Sequence, residues 1–378
     1  MKLRTPIPIV LIFSIPAFIQ PACASTTGSV LAWGSGPGTN VPPELTNVLA
    51  IAAGSGHGLA LLPNGSVTAW GDNSYQQTNV PGDLSNVIAV AGGFYHSLAL
   101  RADGTLVAWG RNSHDQSTVP DGFSNITAIA AGGEHSLALR TDGVVVNWGK
   151  YSDGTPGYSV MPFPANFTNI AAIAAGSDHD LLLRKDGTVF AFGLNGDGQA
   201  DVPAGLSNVI AIACGGYHSL ALTGDGTLVS WGRDNFGQAD SPPGSTNIVV
   251  IAAGYEHNVA IKHDGTTMAW GAGTDGQTVI PPGASNLLAI AAGKLYSLAL
   301  VPNTLPPPLL RAEQPALSQG IFSVWVNTSP GKNYGLEHKD NLSDATWTQL
   351  PSQPGDGSQM QFTAPGTSSR RFFRVRES

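Results

Sequence analysis

Cys214 and His218 have side chains and a spacing that could support chemistry. They lie four residues apart in the segment IAIACGGYHSLAL, residues 210–222, beside a pair of glycines. A thiol activated by an imidazole could act as a nucleophile, and the same two side chains could ligate a transition metal. Both kinds of site need partners elsewhere in the sequence, so the surroundings of the pair decide between them.

The segment around Cys214 is one of seven copies along the chain. The glycine that precedes two variable residues and a histidine recurs every 39 residues, with a single interval of 44, at Gly54, Gly93, Gly132, Gly176, Gly215, Gly254 and Gly293. Alanine or glycine takes the place of Cys214 in every other copy. We therefore interpret Cys214 as one small residue among small residues and predict no catalytic or metal-binding role for it.

The histidines follow the same repeat. Six of them share one register and a tyrosine takes the seventh place, namely His57, His96, His135, His179, His218, His257 and Tyr296. Because each belongs to its own copy, the repeat separates them and does not bring three to one metal ion. We predict that they are structural hydrogen-bonding residues at the start of a strand, and we predict no metal site and no cofactor.

One further segment imitates a calcium-binding loop. LNGDGQAD, residues 194–201, offers Asn195, Asp197 and Asp201, but Gly193 and Ala204 stand where the first aspartate and the bidentate glutamate should be. It aligns with RDNFGQAD, residues 233–240, and is thus another copy of a repeated loop.

We find no catalytic triad order, paired carboxylates or phosphate-binding loop, and predict that the chain is not an enzyme. The alternative is a lyase or hydrolase site where Glu134, Asp178, His114 and Glu256 would converge at the mouth of the fold.

Each copy has the pattern of an antiparallel meander. In NVIAVAGGFYHSLALRADGTLVAWG, residues 86–110, an apolar run, an alternating run and a second alternating run are separated by Gly-Gly and Asp-Gly. Asp-Gly or Asn-Gly recurs at the second turn, where we predict tight primed hairpins. The low charge of 12% with 47 glycines and 27 prolines fits many short strands.

The two ends of the repeat region complement each other. SVLAWG, residues 29–34, supplies the last strand of a copy, and residues 287–303 supply the first two strands without the last. Pairing these halves would close a ring and leave no free sheet edge there. We therefore predict an all-β fold, a closed seven-bladed β-propeller with the repeated tryptophans in its core.

These repeats resemble those of the regulator of chromosome condensation superfamily. AAGGEHSLALRTDGVVVNWG and CGGYHSLALTGDGTLVSWG, followed by RDNFGQ, carry the resemblance, which extends from Val30 to Val301. The short units ending in Gly-Gln or Gln-Gln, then DVP or a similar triplet, are most similar to the secreted bacterial branch that includes β-lactamase inhibitory protein II. This resemblance implies a seven-bladed ring whose loop aromatics bind a partner enzyme.

The chain is predicted to contain four parts. Residues 1–24 are predicted to be a signal peptide, because basic residues and a short apolar run precede the small residues Ala-Cys-Ala. We predict cleavage after Ala24. The alternative is lipid attachment at Cys23. Residues 25–303 form the propeller, 304–315 a proline-rich linker and 316–378 a small β-sandwich-like module. We expect a secreted, periplasmic or cell-surface protein with no integral membrane insertion after signal removal.

The net charge argues against nucleic acid as a partner. Residues 25–304 carry 9 Lys and Arg and 20 Asp and Glu, a net charge of −11, whereas residues 305–378 carry 7 and 6, a net charge of +1. A strongly acidic ring binds phosphate backbones poorly.

Aromatic residues cluster in the loops that should share one face of the ring. The Gly-x-x-His connections and the loops after Trp-Gly open on the same side of an up-and-down blade. We predict a partner-binding face formed by Tyr75, Phe94, Tyr95, Glu134, Tyr151, Tyr158, Asp178, Tyr217, Phe236, Tyr255 and Glu256. The expected partner is a protein, with a glycan as the second candidate; the other interpretations are that these aromatics only cover the mouth, or that the ring is a spacer for the C-terminal module.

Overall fold

A computed structural model describes residues 27–152, 158–159 and 168–303, together with residues 313–318, 321–327, 333–339, 348–349, 352–354, 359–365 and 372–377. The predicted signal peptide lies outside the described residues. The chain divides into two compact regions, Met1–Asn303 and Thr304–Ser378. Across the part of the chain described, no helix is long and apolar enough to cross a membrane.

The described residues of the first region form seven three-stranded antiparallel sheets, which we number as units 1 to 7. The first strand, β1 (Gly28–Gly34), is followed by one 3-10 turn (Pro37–Thr39). Units 1 to 3 comprise β2 (Ala50–Ala53), β3 (His57–Leu61), β4 (Val67–Gly71); β5 (Val87–Gly92), β6 (His96–Arg101), β7 (Leu106–Gly110); and β8 (Ile126–Ala131), β9 (His135–Arg140), β10 (Val145–Gly149).

After unit 3, two short strands pair with each other, β11 (Tyr151–Ser152) and β12 (Tyr158–Ser159). Units 4 to 6 comprise β13 (Ile170–Ala175), β14 (His179–Arg184), β15 (Val189–Gly193); β16 (Val209–Cys214), β17 (His218–Thr223), β18 (Leu228–Gly232); and β19 (Ile248–Ala253), β20 (His257–Lys262), β21 (Thr267–Gly271). Unit 7 combines β22 (Ala289–Ala292) and β23 (Tyr296–Pro302) with β1, so one sheet joins both ends of the region.

The pairing of the ends follows the register expected from the sequence. In unit 7, β1 pairs antiparallel with β23 over its full length, from Gly28 opposite Pro302 to Gly34 opposite Tyr296. Trp33 thus takes the position in this sheet that Trp109 takes in unit 2, opposite the residue that follows the histidine or tyrosine.

The strand that starts with histidine is the middle strand of each sheet and is the most deeply buried. Five residues in succession are buried in each of β3, β6 and their equivalents, because their two faces pack against the sheets of the two neighbouring units. The apolar run and the Trp-Gly strand flank it and are partly exposed. The alternation of side chains along the strands therefore places a hydrophobic core between each pair of neighbouring units.

The hairpins at Asp-Gly differ from the predicted primed turns. In unit 2, Arg101 N–H donates to Thr105 O and Gly104 N–H donates to Arg101 O, which encloses a three-residue loop with positive φ only at Gly104. Asp103 keeps a negative φ because its Oδ1 accepts the N–H and the hydroxyl of Thr105. The prediction of primed turns was wrong. The connection is a three-residue hairpin loop whose last residue, Gly104, has the left-handed conformation.

Buried histidines connect neighbouring units. His57 Nε2 lies 3.0 Å from Ser97 Oγ in unit 2, and the same contact recurs from His96 to Ser136, His179 to Ser219, His218 to Asn258 and His257 to Ser297. Each of these histidines is the first residue of its strand and is fully buried. The prediction of structural histidines at a strand start is confirmed.

The hydroxyl partner fixes the tautomer of the histidine. Ser97 Oγ donates its only proton to the carbonyl of Gln77, 2.9 Å away, so it must accept from His57 Nε2–H. The Nδ1 of His57 is buried without a hydrogen-bond partner among the described residues, so the imidazole is neutral at physiological pH. Its desolvation lowers the pKa of His57 to about 4, and burial likewise lowers the pKa of His96 to about 3.

Tyrosine replaces histidine where unit 7 meets unit 1. Tyr296 Oη donates to the carbonyl of His57, at 2.5 Å, and lies 3.1 Å from the carbonyl of Gly54. A second series of bonds runs between backbones, from Ser55 N–H to Gly93 O in unit 2 and onward to Lys294 N–H, which donates to Ser55 O at 3.1 Å. Direct bonds therefore link unit 7 to unit 1.

The repeated glycine before the variable pair is required by close packing. A Cβ on Gly54 would lie 2.2 Å from the His57 ring and 2.5 Å from the carbonyl of Gly93 in the next unit. The same double approach occurs at Gly215, against His218 and Gly254. Any side chain here would displace both the histidine and the neighbouring backbone.

The second region contains two antiparallel groups of strands. One consists of β24 (Glu313–Ser318), β25 (Ile321–Asn327) and β29 (Gln359–Pro365). In the other, β26 (Asn333–Lys339) pairs with β27 (Thr348–Gln349), β28 (Gln353–Pro354) and β30 (Phe372–Glu377). The β-sandwich-like arrangement and the linker at 304–315 stay predictions.

The neutral histidines predict acid-sensitive folding. Their pKa values lie near 3 to 4 in the folded protein, against about 6.5 when unfolded. Between these pKa values, the unfolded chain therefore binds more protons than the folded protein. The contribution of each histidine to the free energy of unfolding is fully present above about pH 6.5 and is lost as the pH decreases towards 4. Each histidine contributes a loss of about 1.4 kcal/mol per pH unit in that window.

Urea unfolding at pH 7, 6 and 5 measures this effect. We expect His96→Gln to lower stability at pH 7 and to reduce the pH dependence by about one proton, whereas the exposed His263→Gln changes neither. Equal stability of the wild-type protein at pH 7 and pH 5 would contradict the interpretation.

Candidate functional site

Five aromatic side chains form a continuous row on one side of the first region. The ring centroids of Tyr75 and Tyr95 are 4.9 Å apart, those of Tyr95 and Phe94 are 6.3 Å apart, and those of Phe94 and Tyr255 are 5.8 Å apart. Tyr217 completes the row with its centroid 5.4 Å from that of Tyr255 and with the two hydroxyls 3.1 Å apart. We call these five residues the aromatic row.

The row connects units that are not neighbours in the chain. Phe94 and Tyr95 occupy the two variable positions before the histidine of unit 2, Tyr255 and Tyr217 occupy variable positions in units 6 and 5, and Tyr75 comes from the loop after unit 1. The N–H groups of Phe94 and Tyr255 donate to carbonyls of the next units, which fixes the backbone under the rings. The contact between Phe94 and Tyr255 therefore joins the variable positions of units 2 and 6 directly.

An arginine that follows Trp-Gly stacks on a tyrosine in two units. The guanidinium of Arg111 lies 5.1 Å from the ring centroid of Tyr75 and 5.6 Å from that of Tyr95, and the guanidinium of Arg233 lies 3.9 Å from that of Tyr217. The backbone N–H of each arginine donates to the carbonyl of the tyrosine in its own unit. Stacking of this kind contributes about 0.5–1 kcal/mol at exposed sites.

Carboxylates hold both arginines in these positions. Arg111 donates to Glu134 at 2.5 Å, and Arg233 donates to Asp197 at 2.7 Å. The bond to Asp197 raises the pKa of Arg233. His114 also contacts Glu134. The carboxylates thus fix the orientation of both guanidinium groups.

Burial and neighbouring groups affect Tyr255. Its pKa is raised, first by desolvation and then by the hydrogen bond with Tyr217. Lys294 in unit 7 lies with its Nζ 5.2 Å from the ring centroid of Tyr255. The phenol therefore stays neutral at physiological pH and can both donate and accept hydrogen bonds.

Buried glutamines fix the loops beside the row. Gln77 is fully buried, and its Oε1 accepts the backbone N–H of Tyr75 at 2.8 Å. The same bond recurs from the N–H groups of His114, Asp197, Phe236 and Asp275 to the glutamines two residues later, Gln116, Gln199, Gln238 and Gln277. We call these five the loop glutamines. The residue two positions before each loop glutamine varies in type, whereas the hydrogen bond to its backbone N–H is the same in all five loops.

A narrow cavity lies beside the row. Its volume is about 90 Å³, and small residues from all seven units line it, together with Phe94, Tyr255 and Lys294. Cys214 also lines it, and burial raises the pKa of its thiol, which disfavours the nucleophilic thiolate. Among the described residues, no group of three or more His, Cys, Asp or Glu could hold a metal ion.

The structure brings five of the eleven predicted face residues together as the aromatic row, and Glu134 joins them through Arg111. Phe236 is 48% exposed at a loop tip, and Asp178 and Glu256 are half-buried at variable positions. Tyr158 begins β12, and its side chain lies outside the described residues.

The prediction for Tyr151 was wrong as to exposure. Its side chain is only 1% exposed, because the ring packs against His135 and the hydroxyl donates to Asp180. Tyr151 therefore belongs to the core and does not face a partner.

The face predicted from the sequence does not include its three cations, Arg111, Arg233 and Lys294. A sequence signal exists for the two arginines. Each follows Trp-Gly in a unit whose second variable residue is tyrosine, and the antiparallel register places the end of the Trp-Gly strand next to that residue.

A family model for the regulator of chromosome condensation (RCC1) repeat matches residues 48–77, 87–116, 170–199 and 209–238. Each matched segment runs from the first strand of a unit to its loop glutamine. Comparison with curated protein sequences gives no match.

Solved structures with the same fold include Prp20p from Saccharomyces cerevisiae, in a study of its binding to Gsp1p and histones. It shares 22% identity at a TM-score of 0.61, over 74% of this chain and 92% of that one. The CRINKLY ectodomain of the receptor kinase ACR4 from Arabidopsis thaliana shares 22% identity at a TM-score of 0.55, over 69% and 95%. Human WBSCR16 shares 20% identity at a TM-score of 0.57, over 74% and 100%.

The three-stranded units, the histidine contacts and the similar structures together define an all-β propeller. Four of its units match the regulator of chromosome condensation repeat, and the chain is similar in fold to propellers built from that repeat.

The loop glutamines predict a measurable coupling between a buried side chain and a surface loop. Gln238→Ala removes the acceptor for the Phe236 N–H, and the loss of this part-buried hydrogen bond costs about 0.5–1.5 kcal/mol. We expect lower stability in urea and faster amide hydrogen exchange in residues 233–238. The exposed Asn235→Ala in the same loop is the control; equal exchange in both variants would contradict the assigned role.

Proposed function

We propose that this chain is a non-catalytic protein-binding β-propeller whose partner contacts the aromatic row. The observation that carries the proposal is the row itself, five rings in mutual contact with three cations stacked on them. Tyrosine and arginine dominate binding hot spots, because they offer large contact areas with polar groups at their ends. Tyr75 and Phe236 leave 44% and 48% of their surface exposed on this side.

The proposal takes the seven units to form a closed seven-bladed ring. The pairing of β1 with β23 and the bonds from Lys294 and Tyr296 to unit 1 support closure. A closed ring would hold the loops of units 1, 2, 5 and 6 at fixed distances, which lowers the conformational entropy lost on binding.

Protein binding also agrees with what similar propellers do. Prp20p was studied for binding to Gsp1p and histones, and yeast RCC1 was solved bound to Kap60. The acidic charge and the predicted signal peptide argue for a different partner in this chain, an extracellular or surface protein. A glycan is the weaker candidate, since no observation favours it over a protein.

Enzyme inhibition is the most specific form of the proposal. It follows from the resemblance to the secreted branch that includes β-lactamase inhibitory protein II, in which loop aromatics bind an enzyme. Class A β-lactamases are therefore the first proteins to test, with the chain beginning at Ser25 and its C-terminal module retained.

We expect inhibition or binding by the wild-type chain to be lost when Phe94, Tyr95, Tyr217 and Tyr255 are all changed to alanine. Single changes of Phe94 or Tyr255 should weaken binding by about 30-fold, the effect of a hot spot worth about 2 kcal/mol. Val279→Ala, which truncates an apolar side chain that is 67% exposed outside the row, is the control and should change the affinity by less than about threefold.

Two results separate the general proposal from its specific form. If no β-lactamase binds, inhibition of this class is excluded, and crosslinking of wild-type and fourfold variant chains to surface proteins identifies other partners. Partners captured equally by both chains would show that the aromatic row is not the binding surface.

A further inference from the structure

Glu256 carries a carboxylate on the side of the aromatic row that no cation neutralises. It follows Tyr255 of the row, as the second variable residue of unit 6, and is half-buried. Among the described residues, no hydrogen bond or ion pair joins its side chain to another group. A carboxylate in this state on a binding surface complements a basic group of the partner.

The same position in unit 3 shows what a glutamate there binds. Glu134 is the second variable residue of unit 3. It accepts a hydrogen bond from the Arg111 guanidinium at 2.5 Å, and His114 also contacts it. Both of these residues lie in the loop that precedes unit 3. A guanidinium of this chain therefore already occupies the position next to the equivalent carboxylate.

The joint between units 5 and 6 has a different balance of charge. Arg233 follows Trp-Gly as Arg111 does. Its guanidinium, however, donates to Asp197 at 2.7 Å and stacks on the ring of Tyr217. The hydrogen bond to Asp197 raises the pKa of Arg233, and the charge of Glu256 raises it further. One guanidinium neutralises one of these two carboxylates, so one negative charge remains at this joint whichever of them it binds.

An exposed aromatic side chain takes the place of the histidine at this joint. Phe236 and His114 each lie two residues before a loop glutamine and donate their backbone N–H to it. A Cβ on Gly271 would lie 2.6 Å from the Glu256 carbonyl and 3.2 Å from Gln238 Cβ, and the equivalent glycine of unit 3 has the same two neighbours. The repeat therefore places the backbone of Phe236 relative to Glu256 as that of His114 lies relative to the glutamate of unit 3. The Phe236 side chain is 48% exposed.

We propose that Glu256 and Phe236 bind an arginine side chain of the protein partner at the edge of the aromatic row. A planar guanidinium can donate two hydrogen bonds to one carboxylate and stack on an aromatic ring, whereas the ammonium of lysine is a point charge. The chain itself combines these contacts in Arg233, which binds Asp197 and stacks on Tyr217. That the arginine belongs to a protein rests on the function proposed above, whereas the site rests on the remaining carboxylate and the exposed ring.

Titration with N-acetyl-arginine amide tests the site without a protein partner. Fluorine NMR of the chain from Ser25, with 4-fluorophenylalanine incorporated in place of Phe236, reports binding at this position alone. We expect a saturable shift of the fluorine signal with the arginine amide, and binding about fivefold weaker in Glu256→Gln. N-acetyl-citrulline amide has a similar planar shape without the charge and should give no saturable shift.

Asp234→Asn is the matched control for the charge. Asp234 is an exposed carboxylate in the same loop, and its Oδ1 accepts from the N–H of Ala239, a bond that asparagine also forms. We expect this variant to change the affinity for the arginine amide by less than about twofold. Equal weakening in Asp234→Asn and Glu256→Gln would show that the net charge of the surface attracts the ligand, and would overturn the site.

Two further results of the titration would contradict the proposal. The absence of a saturable shift with the arginine amide would overturn the site. Binding of N-acetyl-lysine amide with equal affinity would overturn the assignment of a guanidinium, because a point charge would then be sufficient.

Binding to the class A β-lactamase panel, or to a partner identified by crosslinking, tests the occupant. We expect Glu256→Gln to weaken binding about tenfold, with Asp234→Asn close to the wild type. Unchanged affinity in Glu256→Gln would overturn the contact with a partner arginine and leave the proposed function. If the wild-type chain binds no protein, the proposed function fails, and the arginine amide alone decides whether Glu256 and Phe236 bind a guanidinium.

Discussion

The hydrogen bond from a buried histidine to the residue after the next histidine is the interaction on which the other contacts between units depend. Where the partner is serine or asparagine, it requires a histidine that donates from Nε2, a hydroxyl or amide that both accepts and donates, and a carbonyl that receives the donated proton. The carbonyl of Gln77 also accepts from Trp109 Nε1, so one backbone oxygen connects the loop, the middle strand and the tryptophan of the next unit. Because all of these groups are buried, changing one leaves another without a partner.

This arrangement explains why neighbouring residues vary so freely. The glycine and the loop glutamine of a unit are constrained by backbone atoms of the next unit or of their own loop. The first of the two residues between glycine and histidine donates its backbone N–H to the next unit, and this bond is made by serine, phenylalanine, glycine, tyrosine and lysine alike. The side chains of the aromatic row therefore lie on a backbone that the contacts between units hold in place, and those contacts do not require aromatic residues.

The repeat allowed the strands, the structural histidines and the pairing of the two ends to be predicted, because each depends on local alternation and on register. The mutual contact of Phe94 and Tyr255 could not be predicted, since the distance across the units is set by packing and not by sequence spacing. Tyr151 was misplaced for a related reason: a tyrosine after Trp-Gly looks like its exposed counterparts until the buried Asp180 is seen to bind it. The turn at Asp103 differed because its side chain stabilises negative φ.

Covering the mouth and binding a partner are not opposed roles for the aromatic row. Rings that already contact one another, with Arg111 held by Glu134 and Arg233 by Asp197, have lost most of their rotamer freedom in the free protein. A partner then gains contact area without ordering those side chains, a cost of about 0.5–1.5 kcal/mol for each flexible residue. Under the proposed function, the contacts within the row therefore preorganise the surface and favour a rigid partner whose shape matches the row.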